Sequence, residues 1–481
     1  MTGAERLRRA LRALTHSPDP GEAAEEPAPP EVPRDLPPLM RELGAALLSS
    51  GQSVVDIEAQ LAAVAGAYGA HQVRVFVLPT GVFLQVDSTE GTVTDVTGPR
   101  SATDLPMHQV GAVESLVRRL SSGTADLAQA RVELRRVLAS PPRFGPIFVV
   151  LGHALLTLGF GLILYPTVDA FPVYIGLGAL VGVLRLLASR WPTLDSVLPV
   201  FAAFLVSIVT IEFIAPHVGG NALRLLTPAL IAFLPGLMLA VAAIELTSNQ
   251  VVAGASRMVY GIAQLLLLAF GVVVAISITG AFETSDRTTL APWWAGLAGV
   301  VIAAIGYRYF ASTPPGAFWW VLGAMVVAYC AQAAGSALLT TELGGFVGAL
   351  FVAPVAQAIS RTRNGPPAVV VTQPAFWMLV PGALGFRSVS ELATGQSLGV
   401  TDMISTGIAL FSIALGVLVG SALTGDARRM RQRMVRGSVQ RGVPGSVVGG
   451  TVDGMADGVD ERVDDAADDA ADEIGETETQ T

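Results

Sequence analysis

Apolar positions along this chain change their spacing at two points. From Leu36 they recur at helical intervals, through Leu39, Leu43 and Leu47 and again through Ile57, Leu61 and Val64. Gly51 ends the first of these helices and Ser53 is placed to cap the second. Two apolar runs then flank Pro79, Thr80 and Gly81, VRVFVL before and VFLQV after, and a connection of that kind predicts a β-hairpin. Gly91 opens a third strand, TVTDVT, before two helices that start near Asp104 and Thr124. The product is a small sheet covered on one side by helices, an α+β domain over residues 36–140.

Beyond Pro146 the spacing gives way to near-continuous apolar runs, each long enough to cross a hydrocarbon core of about 30 Å. Five run from Ile147 to Leu164, Phe171 to Ala188, Leu194 to Ile214, Leu223 to Leu246 and Met258 to Ile278. Five more run from Trp293 to Phe310, Phe318 to Leu338, Leu343 to Ile359, Val369 to Phe386 and Met403 to Leu423. The expected fold is therefore an α-helical polytopic membrane protein of about ten transmembrane helices. With the N-terminus inside, the cytoplasmic connections hold Arg185, Arg190, Arg257, Arg308, Arg361 and Arg363, and the outer ones only Arg224, Arg287 and Arg387. Both termini are thus expected in the cytoplasm.

Composition sharpens this division. Just over half the residues are apolar, too many for a soluble chain of this length. Residues 1–35 hold a short Arg-rich amphipathic stretch and then a Pro- and Glu-rich one, with no secretory signal. Residues 437–481 read as an acidic disordered tail, whose stretch from Asp453 to Glu478 carries −11 of the net −9 and leaves +2 on the rest. All 30 basic residues are Arg, which points to coding bias rather than to a nucleic-acid partner. The single Cys330 allows no intrachain disulfide. No Cys/His cluster, HExxH or phosphate loop is present, so no metal, cofactor or ATP-driven step is expected.

The membrane region repeats itself. At an offset of 146 residues Pro228 meets Pro374, Pro235 meets Pro381, Gly236 meets Gly382, Glu245 meets Glu391, Gln250 meets Gln396 and Gly261 meets Gly407. Composition alone gives roughly two or three coincidences over such a window. One residue of slip extends the match to Ala170-Phe171 with Ala317-Phe318 and Asp195 with Glu342. Residues 146–282 and 292–425 are then two five-helix repeats. An odd number of spans per repeat inverts the second relative to the first, an arrangement typical of secondary transporters.

This symmetry selects the candidate residues. Pro235-Gly236 and Pro381-Gly382 fall within the fourth and ninth spans, where a break or kink is expected and would border a substrate path. Gln264, Gln332 and Gln357 are secondary substrate-path candidates, with interhelical hydrogen bonding as the plainer role. Glu245 and Glu391 lie ten residues beyond their prolines, about 15 Å along a helix, and so near opposite interfaces. Each is a candidate for proton coupling or gating, or else an interfacial cap that pairs with Arg257 or Arg387. His153, well inside the first span, is a third proton-coupling candidate or a packed, hydrogen-bonded histidine.

The stretch LLSSGQSVVDIEAQLAAVAGAYGA, the hairpin VLPTG, the ten spans and the repeated Pro-Gly…Glu-Leu pattern together resemble the bacterial threonine and serine exporter family, over about Leu36 to Thr424. The resemblance implies a multi-pass protein of the bacterial plasma membrane that exports small hydroxy amino acids, driven by protons, with its soluble domain in the cytoplasm. It implies small amino acids, protons and lipid as partners, and leaves a homo-oligomer open. Relatives that divide this architecture between two polypeptides resemble dicarboxylate exporters, so a succinate-type substrate is the alternative. From another class come a membrane-tethered hydrolase, a sensor or a channel using the cytoplasmic domain. Ser50-Gly51-Gln52-Ser53 lacks the spacing of a nucleophile elbow, and Asp104 with His108 has no third partner nearby, so an enzyme is not expected.

Overall fold

The computed structural model describes residues 32–70, 73–88, 91–98, 105–218, 222–280, 291–379, 381–393 and 404–423. The amphipathic N-terminal stretch, Asp104 and the acidic tail lie outside them.

The N-terminal domain folds as α1 (Leu36–Leu48), α2 (Val54–Ala67), β1 (Arg74–Leu78), β2 (Gly81–Ser88), β3 (Gly91–Thr97), α3 (Met107–Ser121) and α4 (Leu127–Leu138). Gly51 sits at φ +73°, a left-handed turn that Gly adopts without strain, and Ser53 Oγ accepts from the Asp56 amide at 3.2 Å to open α2. The strands form an antiparallel sheet in the order β1-β2-β3, with Leu78 opposite Gly81 across the Pro79-Thr80 turn. Leu39, Leu43, Leu47, Ile57 and Leu61 are fully buried against Val77, Val82 and Leu84 of the sheet. Phe76 and Val96 are exposed on its other face, so the helices cover one side. α3 and α4 each start about three residues later than the sequence suggests. Pro106 precedes α3, and Asp126 caps α4 by accepting from Gln129 N at 2.8 Å. Glu42 fastens α1 to α4 by accepting from Arg135 Nε at 2.9 Å and Arg131 Nε at 3.0 Å. The hydrogen bond from Arg135, and then that from Arg131, hold its carboxyl down at about 2 against the opposing effect of burial.

Further along lie α5 (Pro146–Leu164), α6 (Phe171–Ala188) and α7 (Pro192–Ile208), the last prolonged by a π turn, Val209–Ile214, and Ala215–Val218. A short α8 (Ala222–Leu226) runs into a 3-10 turn, Thr227–Phe233, before α9 (Gly236–Thr247) and α10 (Val251–Thr279). Then come α11 (Ala295–Phe310), α12 (Phe318–Leu338), α13 (Thr341–Ser360), α14 (Ala368–Met378), α15 (Pro381–Ala393) and α16 (Ile404–Leu423). Among the described residues eight helical runs are long and apolar enough to cross a membrane, and the bent pair of α8 with α9 makes a ninth. α11, with 16 residues, is shorter but equally apolar.

One expectation needs correcting here. α10 begins at Val251 rather than Met258, which puts Arg257 within a helix instead of in a connection. An ion pair with Glu245 makes that charge tolerable there. The sequence also suggests breaks in the fourth and ninth spans: the fourth turns by 66° between Phe233 and Gly236, and the ninth is divided into α14, which ends at Met378, and α15, which starts at Pro381. Pro381 opens α15, the position where a missing amide costs least.

Among the described residues two large apolar cores organise the helices. One gathers mainly α11, α12, α13 and α14 with Leu156 and Phe160 of α5, and the other gathers α6, α7, α9 and α10. Glycines set the closest approaches. A Cβ on Gly152 would lie 2.7 Å from Phe310 N and one on Gly159 2.5 Å from Ala303 N, so α5 and α11 run antiparallel with backbones touching. A Cβ on Gly271 of α10 would lie 3.0 Å from Ala203 Cβ and Phe204 N of α7. Likewise, one on Gly416 of α16 would lie 2.9 Å from Ala349 Cβ and 3.1 Å from Leu350 N of α13.

Candidate functional site

Pro235 cannot donate a backbone hydrogen bond, and the chain before it leaves helical torsions: Leu234 is extended, with φ −71° and ψ 128°. α9 starts afresh at Gly236, so its first amides point out of the helix end without intrahelical partners. On the other side of the break Gln264 Nε2 of α10 donates to the Phe233 carbonyl at 3.2 Å, satisfying one backbone group that the break leaves over.

Gly382 meets this break directly. A Cβ built on it would lie 2.8 Å from Gly236 N and 2.9 Å from Gly236 Cα, so the two Pro-Gly elements touch backbone to backbone. Between them lies a small, half-open cavity of about 30 Å³ lined by Ile231, Leu234, Gly236 and Leu237 from one side and by Phe376, Trp377, Gly382 and Ala383 from the other. Its walls are largely apolar, and its polar groups are backbone ones and the Trp377 indole N–H. No charged side chain is among the lining residues. The arrangement suits a small ligand that brings its own opposite charges, with a carboxylate facing the start of α9.

Gln332 and Gln357 stand elsewhere, on α12 and α13, and neither lines the pocket. Gln332 Oε1 is buried without a hydrogen-bond partner. Gln373 of α14, which sequence reasoning passed over, has the same property one turn before Trp377. A polar side chain inside an apolar run was the available signal.

Glu245, near the end of α9, is fully buried. Its Oε1 accepts from Val54 N at 3.0 Å, and Arg257 Nε lies 3.1 Å from its Oε2. Glu391 is 4 % exposed and accepts from Arg387 Nε at 2.6 Å. Arg387 also donates to the Tyr165 hydroxyl at 3.2 Å, and Arg224 lies 5.5 Å over the Tyr165 ring. His153 is 1 % exposed, edge-on to Phe310 at 4.8 Å, with Nε2 unpartnered. None of these three lines the pocket. Each acid stands beside an arginine instead, one next to the N-terminal domain and one next to the end of α5. Among the described residues no group of three His, Cys, Asp or Glu side chains is placed to hold a metal ion.

Comparison with known proteins places these features in a context. A family described as ThrE, "Putative threonine/serine exporter", matches residues 38–279, from the N-terminal domain to the end of α10. Pheromone-regulated membrane protein 10 of Zygosaccharomyces rouxii is 25 % identical over 276 residues, 51 % of this chain and 28 % of that protein. Its namesake in Candida albicans is 24 % identical over 377 residues, 67 % of this chain and 32 % of that protein. The chain thus spans about a third of the length of these yeast relatives. No solved structure matches. The family match covers half of the chain, including the whole break of the fourth span and Glu245, and on that basis the chain belongs to the threonine/serine exporter family.

Proposed function

We propose that this protein is a secondary transporter that exports small hydroxy amino acids, threonine and serine, across the plasma membrane with the proton gradient as driving force. The observation that carries the reading is the meeting of Gly236 with Gly382 around a pocket. These glycines are equivalent at the 146-residue offset, and equivalent residues touch each other only near an axis of two-fold symmetry. The glycine contacts support the same axis. At the 147-residue offset Gly152 corresponds to Gly299 and Gly159 to Gly306, and Gly152 packs on Gly306 while Gly159 packs on Gly299. The packing of Gly271 on Ala203 and Phe204 also recurs as Gly416 on Ala349 and Leu350, at nearly the same offset. On this reading α11 counts as the sixth of ten spans, the second five inverted relative to the first, with both termini in the cytoplasm.

A site near the middle of two inverted halves is what alternating access requires. The substrate carboxylate faces the free amides at the start of α9, and its ammonium group faces the carbonyls left by the break. A dicarboxylate would bring two negative charges to walls without a cationic side chain, which favours the zwitterion. The test is uptake by inside-out vesicles containing the purified protein, with threonine, serine and succinate compared under an imposed proton gradient. Gradient-dependent uptake of threonine and serine is expected. Uptake of succinate alone, or uptake that needs ATP and no gradient, would overturn the reading.

A further inference from the structure

Among the described residues the N-terminal domain meets the membrane helices at two places of opposite chemistry, and the two places belong to different halves of the membrane region. The first is largely apolar. The Met107 and His108 amides at the start of α3 donate to the carbonyls of Ala311 and Ser312 at 2.8 and 3.1 Å, in the turn between α11 and α12. Met107 and Val110 are buried in the same core as α11, α12 and α14. Gly111 lets α3 come close, since a Cβ there would lie 3.2 Å from the side chains of Pro314 and Val370. Arg143, just before α5, donates to the Thr313 carbonyl.

The second is polar. Val54 N donates to the Glu245 carboxylate, Arg257 donates to the Gln52 carbonyl at 3.1 Å, and Gln250 Nε2 reaches Glu58 Oε2 at 3.4 Å. Ala253 is the membrane-helix residue that enters the domain's buried core at this place. The domain also couples its two attachments internally. Glu114 of α3 accepts from Gln52 Nε2 at 2.7 Å and from Gln60 Nε2 of α2 at 3.0 Å, so α2 and α3 move together. Burial pushes the Glu114 carboxyl up, and the two amides oppose it.

We infer that the N-terminal domain is a lid, hinged on the second half of the membrane region through α3 and latched to the first half at Glu245 through α2, and that the cytoplasmic mouth of the transporter opens when this latch lets go. The inference rests on the proposed transport function. Its physical reason is the difference between the two attachments. Separating α3 would expose buried apolar surface, an uncompensated cost. Separating α2 exchanges three hydrogen bonds for hydration, which is close to neutral, and leaves the Glu245–Arg257 pair intact within the membrane helices. The weaker side is therefore the side that cycles. Glu245 and the pocket-lining Gly236 are the two ends of α9, so motion of that helix changes the latch and the pocket together.

The test uses the full chain in a Cys330→Ser background. Bridging Glu58→Cys to Gln250→Cys with a short cleavable bis-thiosulfonate is expected to stop export, and reduction to restore it. Bridging His108→Cys to Ser312→Cys is expected to leave export unchanged. Undiminished export with the first bridge, or arrest by both, would overturn the lid. A readout independent of transport uses spin labels at the same two pairs. Glu245→Ala or Arg257→Gln should lengthen and broaden the 58–250 distance and leave the 108–312 distance narrow. An unchanged 58–250 distance in both variants would overturn the latch, whereas release without uptake of any amino acid would count against the transport reading alone.

Discussion

Gly382→Ala is expected to abolish export while leaving the protein folded and inserted. The added methyl would lie 2.8 and 2.9 Å from the backbone N and Cα of Gly236, atoms that have no rotamer by which to yield. The two helix breaks must separate by several tenths of an ångström, and the pocket between them changes shape. Overpacking of this kind costs about 1–3 kcal/mol, while replacing Gly by Ala within a helix returns up to about 1 kcal/mol, so global stability should fall only modestly. Gly407→Ala is the control. It lies in the same repeated pattern, with nothing within 4 Å of an added Cβ, and should transport normally. Initial uptake rates and thermal unfolding of both variants measure the two effects separately. Normal export by Gly382→Ala would mean that the close approach of the breaks has no part in transport.

Replacing Glu245 should give two outcomes that depend on what replaces it. Alanine leaves Arg257, only 12 % exposed, without its partner and leaves the Val54 amide without an acceptor. Removing one member of a buried pair costs about 3–5 kcal/mol, so a marked drop in thermal stability is expected, with part of the loss recovered in the double variant Glu245→Ala/Arg257→Ala. Glutamine keeps an acceptor for the Val54 amide and removes the charge. Glu245→Gln should therefore stay folded and lose proton-driven export, and Glu391→Gln should do likewise with a smaller stability change, because Arg387 is one-third exposed and retains the Tyr165 hydroxyl. Normal proton-coupled export in both glutamine variants would leave the two acids as anchors, Glu245 for the N-terminal domain and Glu391 for Arg387.

Much of the fold is legible in the sequence because lipid and helix geometry leave few choices. The runs from Phe171 to Ala188 and Phe318 to Leu338 coincide with α6 and α12 residue for residue, since Pro, Gly and charged residues bound them sharply. Edges are less legible where a tertiary partner compensates a charge. The start of α10 is seven residues earlier than hydropathy suggests, because Glu245 offsets Arg257. The pair Pro235-Gly236 and Pro381-Gly382 is visible as a repeat, but the 66° bend at the first of them is not. The identical dipeptide opens a new helix after an extended Leu234 in one case and serves as an ordinary helix start in the other. Of the pocket walls, Ile231, Leu234, Leu237, Phe376 and Trp377 are apolar residues in apolar runs and carry no sequence signal. Glutamines do carry one, yet of Gln264, Gln332 and Gln357 only Gln264 reaches the break. That Glu245 faces Val54, 191 residues earlier, belongs to tertiary packing that no local pattern encodes.

The central claim is that the substrate passes between Gly236 and Gly382, and Ala383 is the residue that tests it most directly. It is buried in the pocket wall, 4 % exposed, and an Ala383→Cys substitution in a Cys330→Ser background puts a single thiol there. Reaction with a membrane-impermeant thiol reagent is then measured from each side of sealed vesicles, with the proton gradient imposed in either direction. The account predicts labelling from both sides, shifted between them by the gradient and slowed by threonine or serine. Labelling indifferent to both amino acids, or confined to lipid-soluble reagents, would contradict it.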